Sequence, residues 1–136
     1  MKPITILLAE DHADVREGLK VLLESEADIQ IVGEAQNGRQ AVAFASKYCP
    51  DIVIMDISMP LIDGLEAARQ ILQNTPNTKV LVLSSHTEDA YIQHAKAIGA
   101  SGYLLKQSDA KVLAATIRQA HQGDPFVCPS LAVVKP

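Results

Sequence analysis

Five short apolar runs alternating with helical patterns predict an α/β protein built on one parallel, doubly wound sheet. Three observations support this. β-Branched and aliphatic residues cluster at 4–8, 29–35, 52–55, 80–83 and 102–105. Between these runs the apolar residues recur at helical spacing. Turn and cap residues fall at the joints between segments.

The first run, 4–8, is continuously apolar, as befits a strand covered on both faces. A helix follows in which Val15, Leu19 and Leu22 share one face. The second run, Ile29-Gln30-Ile31-Val32-Gly33-Glu34-Ala35, carries polar positions and suits a sheet edge. Asn37-Gly38 opens the second helix and Cys49-Pro50 closes it. The third run, 52–55, is again wholly apolar and leads to a helix with Leu65, Ala68 and Leu72 on one side, ended by Thr75-Pro76. The fourth run, 80–83, is apolar as well. Thr87 is the expected cap of the fourth helix, with Glu88 and Asp89 in its first turn, where the dipole favours anions. Ala95 and Ile98 line that helix and Gly99 stops it. The fifth run, 102–105, is short, contains Gly102 and Tyr103, and suits the other edge. Ser108 is the expected cap of the fifth helix, Leu113, Ile117 and Ala120 its buried face, and Gly123 its end. Central and edge character together fit the order 2-1-3-4-5, the flavodoxin-like (βα)5 arrangement, with right-handed crossovers.

The chain has 136 residues, of which 48% are apolar, enough for one domain with its own core and too many for a disordered chain. A net charge of −4 argues against a basic nucleic-acid surface, and 4% aromatics without Trp leave no stacking platform for single strands. Cys49 and Cys128 lack metal-ligand spacing, which fits a reduced, cytoplasmic chain. The first ten residues do not form a secretory signal, and no segment approaches the roughly 20 apolar residues of a membrane span. Residues 1–123 are read as the domain. Residues 124–136, with Pro125, Pro129 and Pro136, are read as a linker with a short helix at 129–134.

In a doubly wound sheet, ligands bind beyond the carboxyl ends of the strands at the switch in strand order. Here strand one ends in Glu10-Asp11, strand three in Asp56, strand four in Ser84-Ser85 and strand five in Lys106. Clustered carboxylates repel unless a cation or a proton intervenes, and all-oxygen donors favour a hard ion such as Mg²⁺. Such a crevice can accept an anionic phosphoryl group. Asp56 is the candidate nucleophile, able to form an acyl phosphate. Lys106 is placed to neutralise the transferring group, and Ser84 to donate a hydrogen bond to it. His12 and His86 flank the crevice.

Taken in order, four motifs resemble the receiver domain of two-component response regulators. They are Leu8-Ala9-Glu10-Asp11, Asp56-Ile57-Ser58-Met59-Pro60 with Asp63-Gly64, Leu83-Ser84-Ser85, and Gly99-Ala100 leading to Gly102-Tyr103-Leu104-Leu105-Lys106. Leu83-Ser84-Ser85-His86 and the stretch after Gly123 are similar to the NarL/FixJ (LuxR-type) subfamily. The resemblance implies a signalling module, not an enzyme, that takes a phosphoryl group on Asp56 from a sensor histidine kinase. It implies Mg²⁺ held by Asp11, Asp56 and the Ser58 main-chain carbonyl, with Glu10 acting through water. Lys106 would contact the phosphoryl group, and Ser84 and Tyr103 would be the switch pair. As Ser84 moves inward, the Tyr103 ring fills the space it leaves. The expected output is transcription through a helix-turn-helix DNA-binding domain outside this chain, and a homodimer through the fourth helix, fifth strand and fifth helix, or another face, is the expected assembly. Family members often carry Pro after the lysine; Gln107 stands there instead, which leaves the isomer of that peptide open. The small Ser58 side chain leaves attacking water relatively unhindered.

Three other readings compete. A standalone receiver that works by protein docking fits the same residues. A flavin mononucleotide module shares the fold, but the loop Glu10-Asp11-His12-Ala13-Asp14 would repel phosphate without a metal. An aspartyl-phosphate hydrolase often carries a second acid two residues past the nucleophile, where this chain has Ser58.

Overall fold

The computed structural model describes residues 2–57, 63–86 and 88–129. Five strands alternate with five helices: β1 (Ile4–Ala9), α1 (Ala13–Glu24), β2 (Ile29–Ala35), α2 (Gly38–Tyr48), β3 (Ile52–Asp56), α3 (Gly64–Asn74), β4 (Lys79–Ser84), α4 (Asp89–Ala97), β5 (Gly102–Leu105) and α5 (Ala110–Gln122). The strands form one parallel sheet in the order β2-β1-β3-β4-β5. The observed order is the expected 2-1-3-4-5, with β2 and β5 at the edges.

Strand alternation divides the core into two layers. Leu7, Ala9, Val53, Met55, Val80, Val82 and Tyr103 face α2, α3 and α4. Ile6, Leu8, Ile52, Ile54, Leu81, Leu83 and Leu104 face α1 and α5. Every residue of β3 is buried, which forces its last residue, Asp56, to sit in the interior at the sheet's carboxyl end.

Helix ends follow their side chains. Asn37, Asp63 and Asp109 each accept a hydrogen bond from a backbone N–H three residues on. Cys49, Gly99 and Gly123 turn the chain with positive φ. The cap of α5 is thus Asp109, one residue past the expected Ser108, whose own N–H bonds the Leu105 carbonyl instead. Glu88 occupies the N-cap position of α4, and Thr87 lies outside the described residues.

Helix α1 is rotated from the expected face. Leu23 is buried and Leu19 packs partly against the core, whereas Val15 and Leu22 are 41% and 46% exposed. Two polar anchors cause the rotation. Arg16 donates to the Glu10 carbonyl at 2.8 Å and to Glu34 Oε1 at 3.2 Å, so the face through residues 16, 19 and 23 turns inward.

Gly64 seats the first turn of α3 against the end of β3. A Cβ there would lie 2.3 Å from the Asp56 carbonyl oxygen and 2.3 Å from Ile57 Cα, both backbone atoms that cannot yield cheaply. Gly64→Ala is therefore expected to cost about 1–3 kcal/mol, as overpacking does, and urea unfolding monitored by circular dichroism measures it. A variant of unchanged midpoint would mean that the close approach is not tight. No helix among the described residues is long and apolar enough to cross a membrane.

Candidate functional site

The sheet brings the strand ends together at the switch between β1 and β3. Glu10 follows β1 directly, and its N–H bonds the Ala35 carbonyl at 3.0 Å, which extends the β1–β2 pairing to the crevice. Asp56 ends β3 between β1 and β4. Lys106 follows β5, its N–H bonded to the Ser84 carbonyl at 2.8 Å. Glu10 and Asp56 are both completely buried.

Lys106 ties the two acids. Its Nζ donates to Asp56 Oδ2 at 3.0 Å and lies 3.2 Å from Glu10 Oε1, close enough for charge attraction but without hydrogen-bond geometry. Burial alone would lower the ammonium's pKa. The contacts with Asp56 and Glu10 outweigh it and raise the net value, so the lysine stays charged at neutral pH.

Glu10, Asp11, His12 and Asp56 offer donor atoms that all lie within 4.8 Å of one another. His12 Nδ1 stands 3.2 Å from both Glu10 Oε2 and Asp11 Oδ1, and the His12 backbone N–H donates to Glu10 Oε2 at 3.1 Å. Among the described residues, Glu10 Oε1 and Asp11 Oδ1 are buried without a hydrogen-bond partner. Buried oxygens left over in an acidic cluster are what a hard cation satisfies, so the residues present fit a divalent ion. Ser58 lies outside the described residues.

Burial holds the Glu10 carboxyl above the usual carboxylate range; the His12 N–H opposes this, and neighbouring Asp56 and Asp11 add to the rise. The folded protein therefore binds this proton more tightly than the unfolded chain. Its contribution to stability is greatest at acid pH and declines as pH climbs above the ordinary glutamate value of 4.5. Glu10→Gln is accordingly expected to raise the melting temperature of the metal-free protein at pH 7–8 by about 2–8 °C, the shift that ~1 kcal/mol produces. Thermal melts in chelator across pH 5–8 read this, and a variant that melts lower than the parent at pH 8 would contradict it.

Ser84, at the end of β4, is completely buried, and its Oγ accepts the His86 N–H at 2.9 Å. Tyr103 is completely buried too, and its hydroxyl donates to the His86 carbonyl at 2.8 Å. Burial pushes the phenol's pKa up, so it remains a donor. The Tyr103 ring lies inside the protein, and Ser84 bonds the loop that follows β4. The His86 ring stacks on Tyr91 of α4, with centroids 4.2 Å apart and planes 8° from parallel. His86 therefore joins Ser84, Tyr103 and α4 through one backbone segment and one ring, a role that its flanking position in the sequence does not disclose. Arg16, which fixes the Glu10 carbonyl from α1, carried no sequence signal at all.

A five-stranded parallel sheet in this order, with two buried acids and a lysine at its carboxyl end, defines a flavodoxin-like fold with a charged crevice at the switch in strand order. The family model of the response regulator receiver domain matches residues 6–118, and the chain belongs to that family. Its relatives place it in the NarL/FixJ (LuxR-type) branch. It is 41% identical over 128 residues to the transcriptional regulatory protein DegU of Brevibacillus brevis, an alignment spanning 94% of this chain and 54% of DegU. It is 40% identical over 122 residues to the transcriptional regulatory protein LiaR of Bacillus subtilis (strain 168), spanning 90% of this chain and 58% of LiaR. A crystal structure of a LuxR-family two-component response regulator from Aurantimonas sp. SI85-9A1 superposes with a TM-score of 0.90 at 33% identity, covering 97% of this chain and 94% of that one. The chain thus spans little more than half the length of these two curated relatives.

Proposed function

We propose that this chain receives a phosphoryl group on Asp56 from the phosphohistidine of a sensor histidine kinase. A carboxylate oxygen of Asp56 attacks phosphorus, the P–N bond to the histidine breaks, and the ring nitrogen keeps the electron pair and takes up a proton. Asp11 and Asp56, with the Ser58 carbonyl, would hold Mg²⁺, and Glu10 would act on it through water. Such an ion, when bound, neutralises charge between the carboxylates and the incoming anion. Lys106 pairs with the transferred group's negative charge, and the Ser84 hydroxyl donates to one of its oxygens. Tyr103 responds to the Ser84 movement through His86. Residues 1–123 form this signalling unit, which is not an enzyme in its own right, and 124–136 lead toward an effector. The output is transcription through a helix-turn-helix domain outside this chain, and pairing of two copies through α4, β5 and α5 or another face is part of the same reading.

The observation that supports this best is the contact of Lys106 Nζ with both Asp56 and Glu10 inside one acidic crevice. Incubation with acetyl phosphate and Mg²⁺ tests it. Intact-mass spectrometry is expected to find one added phosphoryl group per chain, lost when chelator replaces Mg²⁺. Unlabelled protein, or labelling that ignores the chelator, would count against it.

A further inference from the structure

The mouth of the acidic crevice carries a nitrogen donor that the proposed Mg²⁺ set does not use. His12 stands at the N-cap position of α1, yet its side chain makes no cap bond. The ring leans back over the acids instead. Its Nδ1 is 3.2 Å from Glu10 Oε2 and 3.2 Å from Asp11 Oδ1, while 67% of the side chain stays exposed. Donors that share one ion at about 2.1 Å stand roughly 3.0 Å apart in an octahedron and roughly 3.4 Å apart in a tetrahedron. The observed separations fall between the two. Asp11 Oδ1 is buried and has no hydrogen-bond partner, although the imidazole is beside it. Glu10, completely buried, also keeps Oε1 without a hydrogen bond. Its Oε1 lies toward Lys106 and its Oε2 toward His12, so the ammonium and the imidazole draw on different oxygens of one carboxylate.

We infer that His12 Nδ1, Glu10 Oε2 and Asp11 Oδ1 form a binding site for a borderline divalent ion of the Zn²⁺, Co²⁺ and Ni²⁺ type, and that His12 sets which metals the crevice prefers. Imidazole suits those ions, whereas Mg²⁺ takes oxygen donors and gives up its waters reluctantly. The two carboxylates bring the negative charge that a dication needs. The imidazole tautomer with its proton on Nε2 brings a lone pair at Nδ1. The exposed ring lets the ion enter from solvent and leaves room for water to complete its shell. Asp11 belongs both to this donor set and to the proposed Mg²⁺ set, so the two ions exclude each other. The crevice is thereby a place where a trace transition metal displaces Mg²⁺. The competition deepens the proposed function and rests on its Mg²⁺ set; the site at His12 does not depend on Asp56 receiving a phosphoryl group.

Calorimetric titration of the whole chain with Zn²⁺ and with Mg²⁺ tests this, in a Cys49→Ser background that removes the exposed thiol. The parent is expected to bind Zn²⁺ more tightly than Mg²⁺, and saturating Mg²⁺ is expected to weaken the apparent Zn²⁺ affinity. His12→Asn sets an amide in place of the imidazole and keeps a residue that caps helices well. It is expected to weaken Zn²⁺ at least about tenfold, since loss even of a partner that only orients a ligand costs that much. Mg²⁺ affinity is expected to stay within about twofold, because that ion does not use the ring nitrogen. His12→Ala is expected to lose Zn²⁺ affinity likewise. Nitrogen-15 NMR of the histidine rings supplies a signature that a structural role would not give: Zn²⁺ is expected to shift Nδ1 of His12. Zn²⁺ affinity unchanged in both variants, or indifferent to Mg²⁺, or a shift confined to other histidines, overturns the inference. Equal losses of Zn²⁺ and Mg²⁺ in His12→Asn overturn the selectivity role. A parent that binds Zn²⁺ at His12 but takes up no Mg²⁺ upholds the site and overturns the Mg²⁺ part of the proposed function.

Discussion

Asp56→Asn is expected to take up no phosphoryl group from acetyl phosphate in Mg²⁺, with labelling at the assay background, while the fold persists. The amide has nearly the volume of the carboxylate and keeps an oxygen that can accept from Lys106 Nζ, so packing at the end of β3 is preserved. What is lost is the anionic oxygen that attacks phosphorus, and an amide cannot supply it at neutral pH. Removing one negative charge from an acidic cluster that also contains buried Glu10 and partly buried Asp11 relieves repulsion, so the variant should melt no lower than the parent in chelator. The combination is diagnostic. A misfolded variant would lose labelling and melting temperature together, whereas loss of the acceptor alone takes only the labelling. Full labelling of the variant would place the acceptor on another residue and remove the basis of the proposed function.

Much of this site was legible because a parallel sheet concentrates function at strand ends. Once the five apolar runs are identified, Glu10, Asp11, Asp56 and Lys106 are each one to three residues past a run, and the strand order brings those ends together. What escaped the sequence depends on contacts distant along the chain. The rotation of α1 is set by Arg16 reaching Glu10 and Glu34, and a helical pattern one residue out of phase looks equally amphipathic. The α5 cap moved by one residue because Ser108 and Asp109 are adjacent and both cap well. Tyr103 reads as an edge-strand aromatic until the loop at His86 and the bridge at Val127 are seen to enclose it. The bridge at Val127 involves a single residue, which has no periodicity to betray it in the sequence. The proposed short helix at 129–134 and residues 58–62 fall largely or wholly outside the described residues.

Lys106→Ala is the companion experiment, and its effects should separate along pH. The ammonium compensates Asp56 and Glu10, both completely buried, and the lysine side chain is itself only 22% exposed. Its removal leaves two close carboxylates with less positive charge near them. Breaking a fully buried pair costs ~3–5 kcal/mol, and the partly exposed ammonium reduces that to about 1–3 kcal/mol at neutral pH. The loss should shrink as pH falls, since Glu10 already holds its proton more tightly in the folded state and a protonated acid needs no counter-charge. Added Mg²⁺ should also restore part of it. Function should divide differently. Asp56 retains its attacking oxygen, so acetyl phosphate is expected to load the variant, more slowly than the parent. The phosphoryl group then lacks the cation that draws the end of β5 toward it, and the response at His86 and Tyr103 should be absent. Hydrogen exchange at those two amides, measured on protein loaded to equal extent, separates the two effects. A loaded variant that changes protection as the parent does would show that Lys106 balances charge in the resting crevice and carries no part of the signal.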